Sequence, residues 1–457
     1  MPLNTKKRRV TRTLTKDRRF GTDGIRGPVD STMNPLFVTK LGWAAGSVLL
    51  EEGISRVFIG KDTRISGYML ESALQAGFIS CGMDVTLLGP LPTPAVAHLA
   101  KKNNAAGVVI SASHNLFEDN GIKLFGPDGF KLSDEVEMEI ESFLDGEISY
   151  AQSQNIGKAK RIDDALGRYM EFAKSAFPRK KLLDGLKVVV DCANGAAYKA
   201  APIVLWELGA EVIALGVNPN GYNINEGCGS TNPIMAASAV LKHGADVGIC
   251  LDGDADRVIL IDEKGQVADG DQLMGLIATQ WASRGTLVKN TLVATVMSNM
   301  GLERHLNEHN IELIRTNVGD RYVVEAMRKF GYNLGGEQSG HIVMTDFVTT
   351  GDGLMAGLQF LNAMVDSGRP ASDLIKVFEP MPQLLKNIHI SPNTDPLENT
   401  NVQEAIREGE AMFGEHGRLL IRKSGTEPLI RVMGECEDPN LLSDVVMNVV
   451  DSVSKIT

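Results

Sequence analysis

Three carboxylates at alternate positions, Asp252, Asp254 and Asp256, stand in the stretch DVGICLDGDADRVILID between two apolar runs. Like charges this close repel, so a cation is expected to hold them together. Hard oxygen donors suit Mg²⁺, Mn²⁺ or Ca²⁺, and Mg²⁺ is the preferred reading. An EF-hand loop competes, because Glu263 falls at its twelfth position. It fails at the sixth, where Arg257 replaces the required glycine, and on its strand-like flanks. A solvated acidic turn is the plain alternative. Three carboxylates would leave coordination positions for a phosphate oxygen.

A second concentration of polar chemistry follows the apolar residues 108–110 in VVISASHNLFEDNGIKLF. Ser113 lies past the end of a buried strand, where α/β folds place ligands. No G-x-S-x-G elbow surrounds it, and an unactivated hydroxyl is a poor nucleophile near neutral pH. As a phosphate carrier Ser113 needs no triad. A phosphoserine brings about −1.5 to −2 charges and three acceptor oxygens, which His114, Asn115 and Lys123 are placed to surround. A helix N-cap or turn serine is the other reading of the loop, and both remain open at this point.

Two further loops carry recognition chemistry. In LGGEQSGHIVM (334–344), the glycines allow close backbone approach, and Glu337 and Ser339 offer hydrogen bonds suited to sugar hydroxyls. A glycine-rich turn between two strands explains the same residues. In IRKSGTEPLIRVMGE (421–435), Ser424, Gly425 and Thr426 form a small nest of donors, and Arg422 and Arg431 can fork onto a phosphate. A tight turn with surface arginines is the alternative, and no Walker motif is present.

The elements that must position these loops repeat. RVFIGKDTRISGYMLESALQAGFISCGMDVTLLG, KVVVDCANGAAYKAAPIVLWELGAEVIALG and the looser TLVATVMSNMGLERHLNEHNIELIRTNVG each read strand, polar loop, helix, strand. Each is a βαβ unit, which implies a parallel sheet covered by helices. In the first two, a glycine opens the second strand and fits a left-handed helix cap. The expected class is therefore α/β: three similar mixed domains over residues 1–165, 166–266 and 267–378, then a smaller α+β domain over 379–457. One loop per domain points to a shared central cleft.

A chain of 457 residues is too long for one core. No apolar run approaches the roughly 20 residues of a membrane helix. The net charge is −11, yet residues 6–19 hold eight basic residues and one Asp, so the remainder carries −18. Residues 1–15 read as a disordered tail, and the acidic body argues against a nucleic-acid binder. Five widely spaced cysteines without a CxxC suit free thiols in a reducing cytoplasm.

FGTDGIRG (20–27), SASHN (111–115) with DNGIKLF (119–125), DGDADR (252–257), GEQSGH (336–341) and RKSGTEP (422–428) occur in that order. Together they make the chain resemble the alpha-D-phosphohexomutases over nearly its whole length. FGTDGIRG and Gln338 point to the branch acting on glucosamine phosphates. The resemblance implies a fourth domain like the TATA-binding protein. It implies interconversion of glucosamine 6-phosphate and glucosamine 1-phosphate through glucosamine 1,6-bisphosphate, one Mg²⁺ per chain, and a homodimer. It makes Ser113 the phosphoserine and a metal-facing group beside Asp252, Asp254 and Asp256. Arg26, Glu337 and Ser339 would contact substrate, and Arg422, Ser424, Gly425, Thr426 and Arg431 would hold the distal phosphate. Arg257 and His114 would support transfer, with Lys123 and His341 the candidates for moving protons. A phosphoglucomutase or phosphomannomutase, a sugar phosphatase and a non-enzymatic binding protein are the rivals. Leu116 stands where the family usually has proline, which puts the rigidity of the Ser113 loop in question.

Overall fold

The computed structural model describes residues 18–391, 395–423 and 429–456. Each of the three βαβ readings folds as a parallel pair bridged by a helix. The pairs are Arg56–Lys61 with Asp84–Pro90, Lys187–Asp191 with Glu211–Leu215, and Thr291–Thr295 with Glu312–Thr316. The cap before each second strand is left-handed: Gly82 at φ 107°, Gly209 at 102° and, in the looser copy, Asn310 at 57°. Asparagine is the side chain that tolerates this region best after glycine, so the third copy keeps the geometry while losing the glycine.

On each parallel sheet an antiparallel hairpin is added. In the first sheet Ala106–Ile110 pairs with Asp119–Phe125; in the second Val247–Leu251 pairs with Val258–Asp262; in the third Leu334–Gly336 pairs with Ile342–Met344. The connections of these hairpins are the Ser113 loop, the Asp252–Asp256 loop and the Glu337–Ser339 loop. The chemistry thus sits at one equivalent position of a thrice-repeated sheet. Both faces of these sheets are covered by helices, which is why a strand such as Ala106–Ile110 is buried at every residue.

The C-terminal unit is a three-stranded antiparallel sheet, with Leu429–Cys436 between Gln383–His389 and Gly417–Lys423, covered by helices Thr400–Phe413 and Pro439–Ser454. Its apolar core (Ile388, Val402, Phe413, Val432, Val446) is its own. By contrast, Phe58 and Val109 of the first sheet, with Val96 of the helix Thr93–Lys102, share one continuous core with Val188 and Leu251 of the second and Leu292 and Ile342 of the third. Among the described residues no helix is long and apolar enough to cross a membrane.

Candidate active site

The three hairpin loops meet. Arg257 bridges His341 backbone to backbone, and the Val258 N–H donates to Gly340 O at 3.0 Å. Gly340 has φ 89°, and a Cβ there would lie 2.0 Å from Val258 O, so only glycine fits. On the other side, Gly253 passes directly against Ser113 O.

At this junction Asp252, Asp254 and Asp256 each aim an oxygen to within 4.8 Å of the others, all buried. At an effective dielectric of about 20, two such charges repel by about 3.5 kcal/mol. Burial and the neighbouring Asp256 and Asp254 push Asp252 well above the usual carboxylate range. Against the cost of burial, Lys123 and His341 hold Asp256 well below it. Asp254 Oδ1 and Asp256 Oδ1 are buried without a hydrogen-bond partner. Hard carboxylate oxygens, close together and partly unpartnered, fit a divalent cation.

Ser113 Oγ donates to Asp252 Oδ2 at 2.6 Å and lies 3.3 Å from His114 Nδ1. The residue is only 1% exposed, and its hydroxyl is turned to the carboxylates rather than into the cavity beside them. Burial, then the cations Arg257 and Arg26, lower His114 to about 4, so it is neutral near pH 7. Asn115 does not join the group expected around Ser113: its amide donates to Asp119 Oδ2 at 2.9 Å, away from the hydroxyl.

Lys123 projects from the strand beside Ser113 and donates to Asp254 Oδ2 at 2.7 Å and Asp256 Oδ2 at 3.0 Å. Although burial opposes it, Asp23, Asp254 and Asp256 raise this ammonium well above its usual range. In this geometry the Lys123 ammonium is a counter-ion to Asp254, Asp256 and Asp23.

A cavity of about 350 Å³ opens next to the carboxylates, lined by residues of the first three domains, among them Arg26, Arg257, Glu337, Ser339 and His341. Burial raises Glu337, whose Oε1 accepts the Gly319 N–H at 3.1 Å. His341 is buried, 3.7 Å from Asp256 and 3.5 Å from Asp320, and these carboxylates raise it against the effect of burial. Arg26 pairs with Asp23 and leaves its Nε buried without a partner.

The fourth loop, expected at the same cleft, lies largely outside the described residues. Arg422 and Arg431 face each other across two adjacent strands, but no described residue of the C-terminal unit lines the cavity. Burial and the neighbouring Arg431 lower Arg422. Ser424, Gly425 and Thr426 lie outside the described residues.

Sequence reasoning missed three charged groups and one hydroxyl. Lys131 donates to both Asp23 and Asp320, so a closed ring runs Asp256, Lys123, Asp23, Lys131, Asp320, His341 and back. Only Asp23 lies in a quoted motif. Thr93 Oγ1 donates to Asp254 Oδ2 at 2.6 Å with no motif to mark it.

Models of phosphoglucomutase/phosphomannomutase alpha/beta/alpha domains I, II and III match residues 17–151, 167–265 and 269–381, and the C-terminal domain of that family matches 385–452. A phosphoglucosamine mutase of Cereibacter sphaeroides is 64% identical over 438 residues, covering 95% of this chain and 98% of the relative. One from Paracoccus denitrificans is 62% identical over 440 residues, with the same coverages. Among solved structures, a phosphoglucomutase/phosphomannomutase family protein from Burkholderia thailandensis superposes with a TM-score of 0.81 at 22% identity, over 97% of this chain and 98% of that one. Aspergillus fumigatus N-acetylphosphoglucosamine mutase, solved with GlcNAc-6P and magnesium, gives 0.67 at 17% identity over 96% of each chain. Four family domains in order and close relatives along the whole length lead to one assignment: the chain belongs to the alpha-D-phosphohexomutase family.

Proposed function

We propose that the chain is a phosphoglucosamine mutase, interconverting glucosamine 6-phosphate and glucosamine 1-phosphate and so feeding synthesis of UDP-N-acetylglucosamine. The observation that carries the mechanism is the Ser113 hydroxyl, 2.6 Å from Asp252 inside a buried carboxylate trio at the wall of a polar cavity. Phosphorylated Ser113 gives its phosphoryl group to the free hydroxyl of the bound monophosphate: the Ser113 Oγ–P bond breaks as the sugar O–P bond forms, and the proton of that hydroxyl ends on the departing serine oxygen. The resulting 1,6-bisphosphate turns over, and Ser113 takes back the other phosphate. Asp252, Asp254 and Asp256, with Ser113, would hold a Mg²⁺. When bound, that ion offsets the negative charge shifting between serine and sugar oxygens.

The chain's own groups supply the rest. Arg257 and Arg26 line the cavity as cations beside the carboxylates and can steady the transferring phosphoryl oxygens. Neutral His114 can take or hold the hydrogen of the serine oxygen at its Nδ1. His341, raised by Asp256 and Asp320, is the second candidate for moving protons. Glu337 and Ser339 are assigned to sugar hydroxyls. Arg422 and Arg431, with the loop 424–426, are assigned to the phosphate that is not reacting. Five free thiols agree with a reducing cytoplasmic setting, and assembly as a homodimer belongs to the same proposal.

The test is Ser113→Ala with a phosphosugar panel. The variant should bind glucosamine 6-phosphate and fail to convert it, and the phosphoryl adduct seen by intact mass in wild type should vanish. A near-normal mutase rate in Ser113→Ala would overturn the carrier role. Release of inorganic phosphate without a bisphosphate requirement would instead favour a phosphatase. Higher kcat/KM on glucose or mannose phosphates would move the assignment to another branch of the family.

A further inference from the structure

Ser113 has φ 52°, a left-handed conformation that costs a non-glycine residue about 1–2 kcal/mol. Some neighbouring structure must impose it. Three carbonyls of the loop point at one buried side chain, Arg64. Its Nη2 donates to Ser113 O and Asn115 O, each at 2.8 Å, and its Nη1 donates to Leu116 O. Arg64 Nε donates to Asp62 Oδ2 at 2.9 Å, and both side chains are fully buried. The same Asp62 oxygen accepts from Ser111 Oγ at 2.6 Å, and Ser111 Oγ accepts the Ser113 N–H at 2.9 Å.

A second clamp comes from a turn of the second domain. Asn225 Nδ2 donates to Ser113 O at 2.8 Å and to Asn115 O at 2.9 Å. Asn225 is 5% exposed, sits at φ 58°, and keeps its Oδ1 buried without a partner. An unpaired buried acceptor costs stability and persists where its partner amide is needed. Each of the two carbonyls is thus gripped twice, from two domains.

We propose that Arg64 and Asn225 are positioning residues that lock the Ser113 loop across the seam between the first two domains, keeping Ser113 Oγ against the carboxylate trio. This rests on the reading of Ser113 as phosphoryl carrier. It also explains how Leu116 is tolerated: the rigidity a proline ring would give locally is supplied by a guanidinium gripping the Leu116 carbonyl.

The experiment uses Asn225→Gly, Arg64→Lys, Leu116→Pro and the double variant Asn225→Gly/Leu116→Pro. Glycine at 225 tolerates the left-handed backbone and removes the side chain with its amide. Lysine at 64 keeps the charge and loses the fork. The Leu116 N–H donates no hydrogen bond among the described residues, so proline there removes none. Asn225→Gly and Arg64→Lys should each lower kcat about 10–100-fold, the order expected for a misplaced reacting atom, with KM for glucosamine 6-phosphate within about twofold. Leu116→Pro alone should change kcat less than about twofold. Added to Asn225→Gly, it should recover most of the loss, because it pre-sets the chain.

Normal kcat in a folded Asn225→Gly, a loss carried equally by KM, or a loss that proline does not recover would each overturn the proposal. Should Arg64→Lys not fold, the two Asn225 variants still decide. A full rate in Ser113→Ala would sink the carrier reading itself, whereas an inactive Ser113→Ala beside a fully active Asn225→Gly would sink only the clamp.

Discussion

Thr93 gives a clean way to separate holding the cation from doing the chemistry. It is fully buried at the first position of the helix Thr93–Lys102, with its hydroxyl on Asp254 Oδ2 at 2.6 Å and its N–H on Asp254 O at 3.0 Å. Thr93→Val keeps the shape and the backbone bond and deletes the hydroxyl donor. A hydrogen bond to a charged group contributes about 1.5–3 kcal/mol, which at about 1.4 kcal/mol per tenfold is about 10–150-fold. Lys123 still pairs with Asp254 Oδ2 at 2.7 Å, but the carboxylate loses one of the two donors that fix its orientation. The loss should therefore fall on divalent-ion affinity, as removal of a group supporting a metal ligand usually does. The assay is mutase rate against free Mg²⁺ in a chelator-buffered series, with calorimetric Mg²⁺ binding beside it. The half-saturating Mg²⁺ should rise about 10–100-fold, with kcat at saturation within about threefold of wild type. An unchanged half-saturation in a folded variant would refute the orienting role. A kcat deficit that Mg²⁺ cannot restore would refute the separation of the two functions.

Burial raises Asp352 to about 7, although Tyr169 and the Met355 N–H favour its charge. A raised acid binds its proton in the folded state, so its stabilisation is full below about pH 4 and is lost as pH rises to about 7. Asp352→Asn should remove that slope: its stability relative to wild type should climb by about 1 kcal/mol per pH unit between pH 5 and 7, read by unfolding midpoints. A pH-independent difference would refute the assignment. Between the first and third domains, Arg321 donates to buried Glu137 and to Asp134, and Arg18 reaches the same Glu137 at 2.8 Å. Arg321→Met should destabilise by about 3 kcal/mol, the low end for a broken buried pair because Arg18 remains, and Arg321→Met/Glu137→Leu should regain most of it in a denaturant titration. Asp254→Asn should weaken Mg²⁺ dependence and rate together, and activity indifferent to a chelator would contradict the metal assignment.

The sequence carried the parts whose signals are local. Alternating carboxylates, glycine-rich turns and three βαβ patterns are written within a few residues of one another, and each appears in the fold at that place. The hairpin nature of the loops was half visible, since apolar runs flank Asp252–Asp256 and Gly336–His341 on both sides. What stayed hidden is what depends on distant partners. Lys131 and Asp320 are 189 residues apart, and Asn225 reaches Ser113 across 112 residues. Neither residue type nor spacing marks such pairs, because a buried lysine or asparagine is chosen by the far side of the contact. The orientation of the Ser113 hydroxyl is a rotamer, and no pattern of residues encodes it.

The C-terminal unit keeps its apolar core to itself and meets the rest of the molecule through polar groups: Glu435 on Asn299 and the Met300 N–H, Arg418 on Ser298 O, Arg304 on Glu437. Swinging such a lobe outward wets hydrogen-bonding groups that water can satisfy, and bares little oily surface. The proposed reaction, in which a sugar bisphosphate flips end over end, would need room made and unmade at every turnover, and a door hung on polar hinges can swing that often without inviting its neighbours in solution to stick.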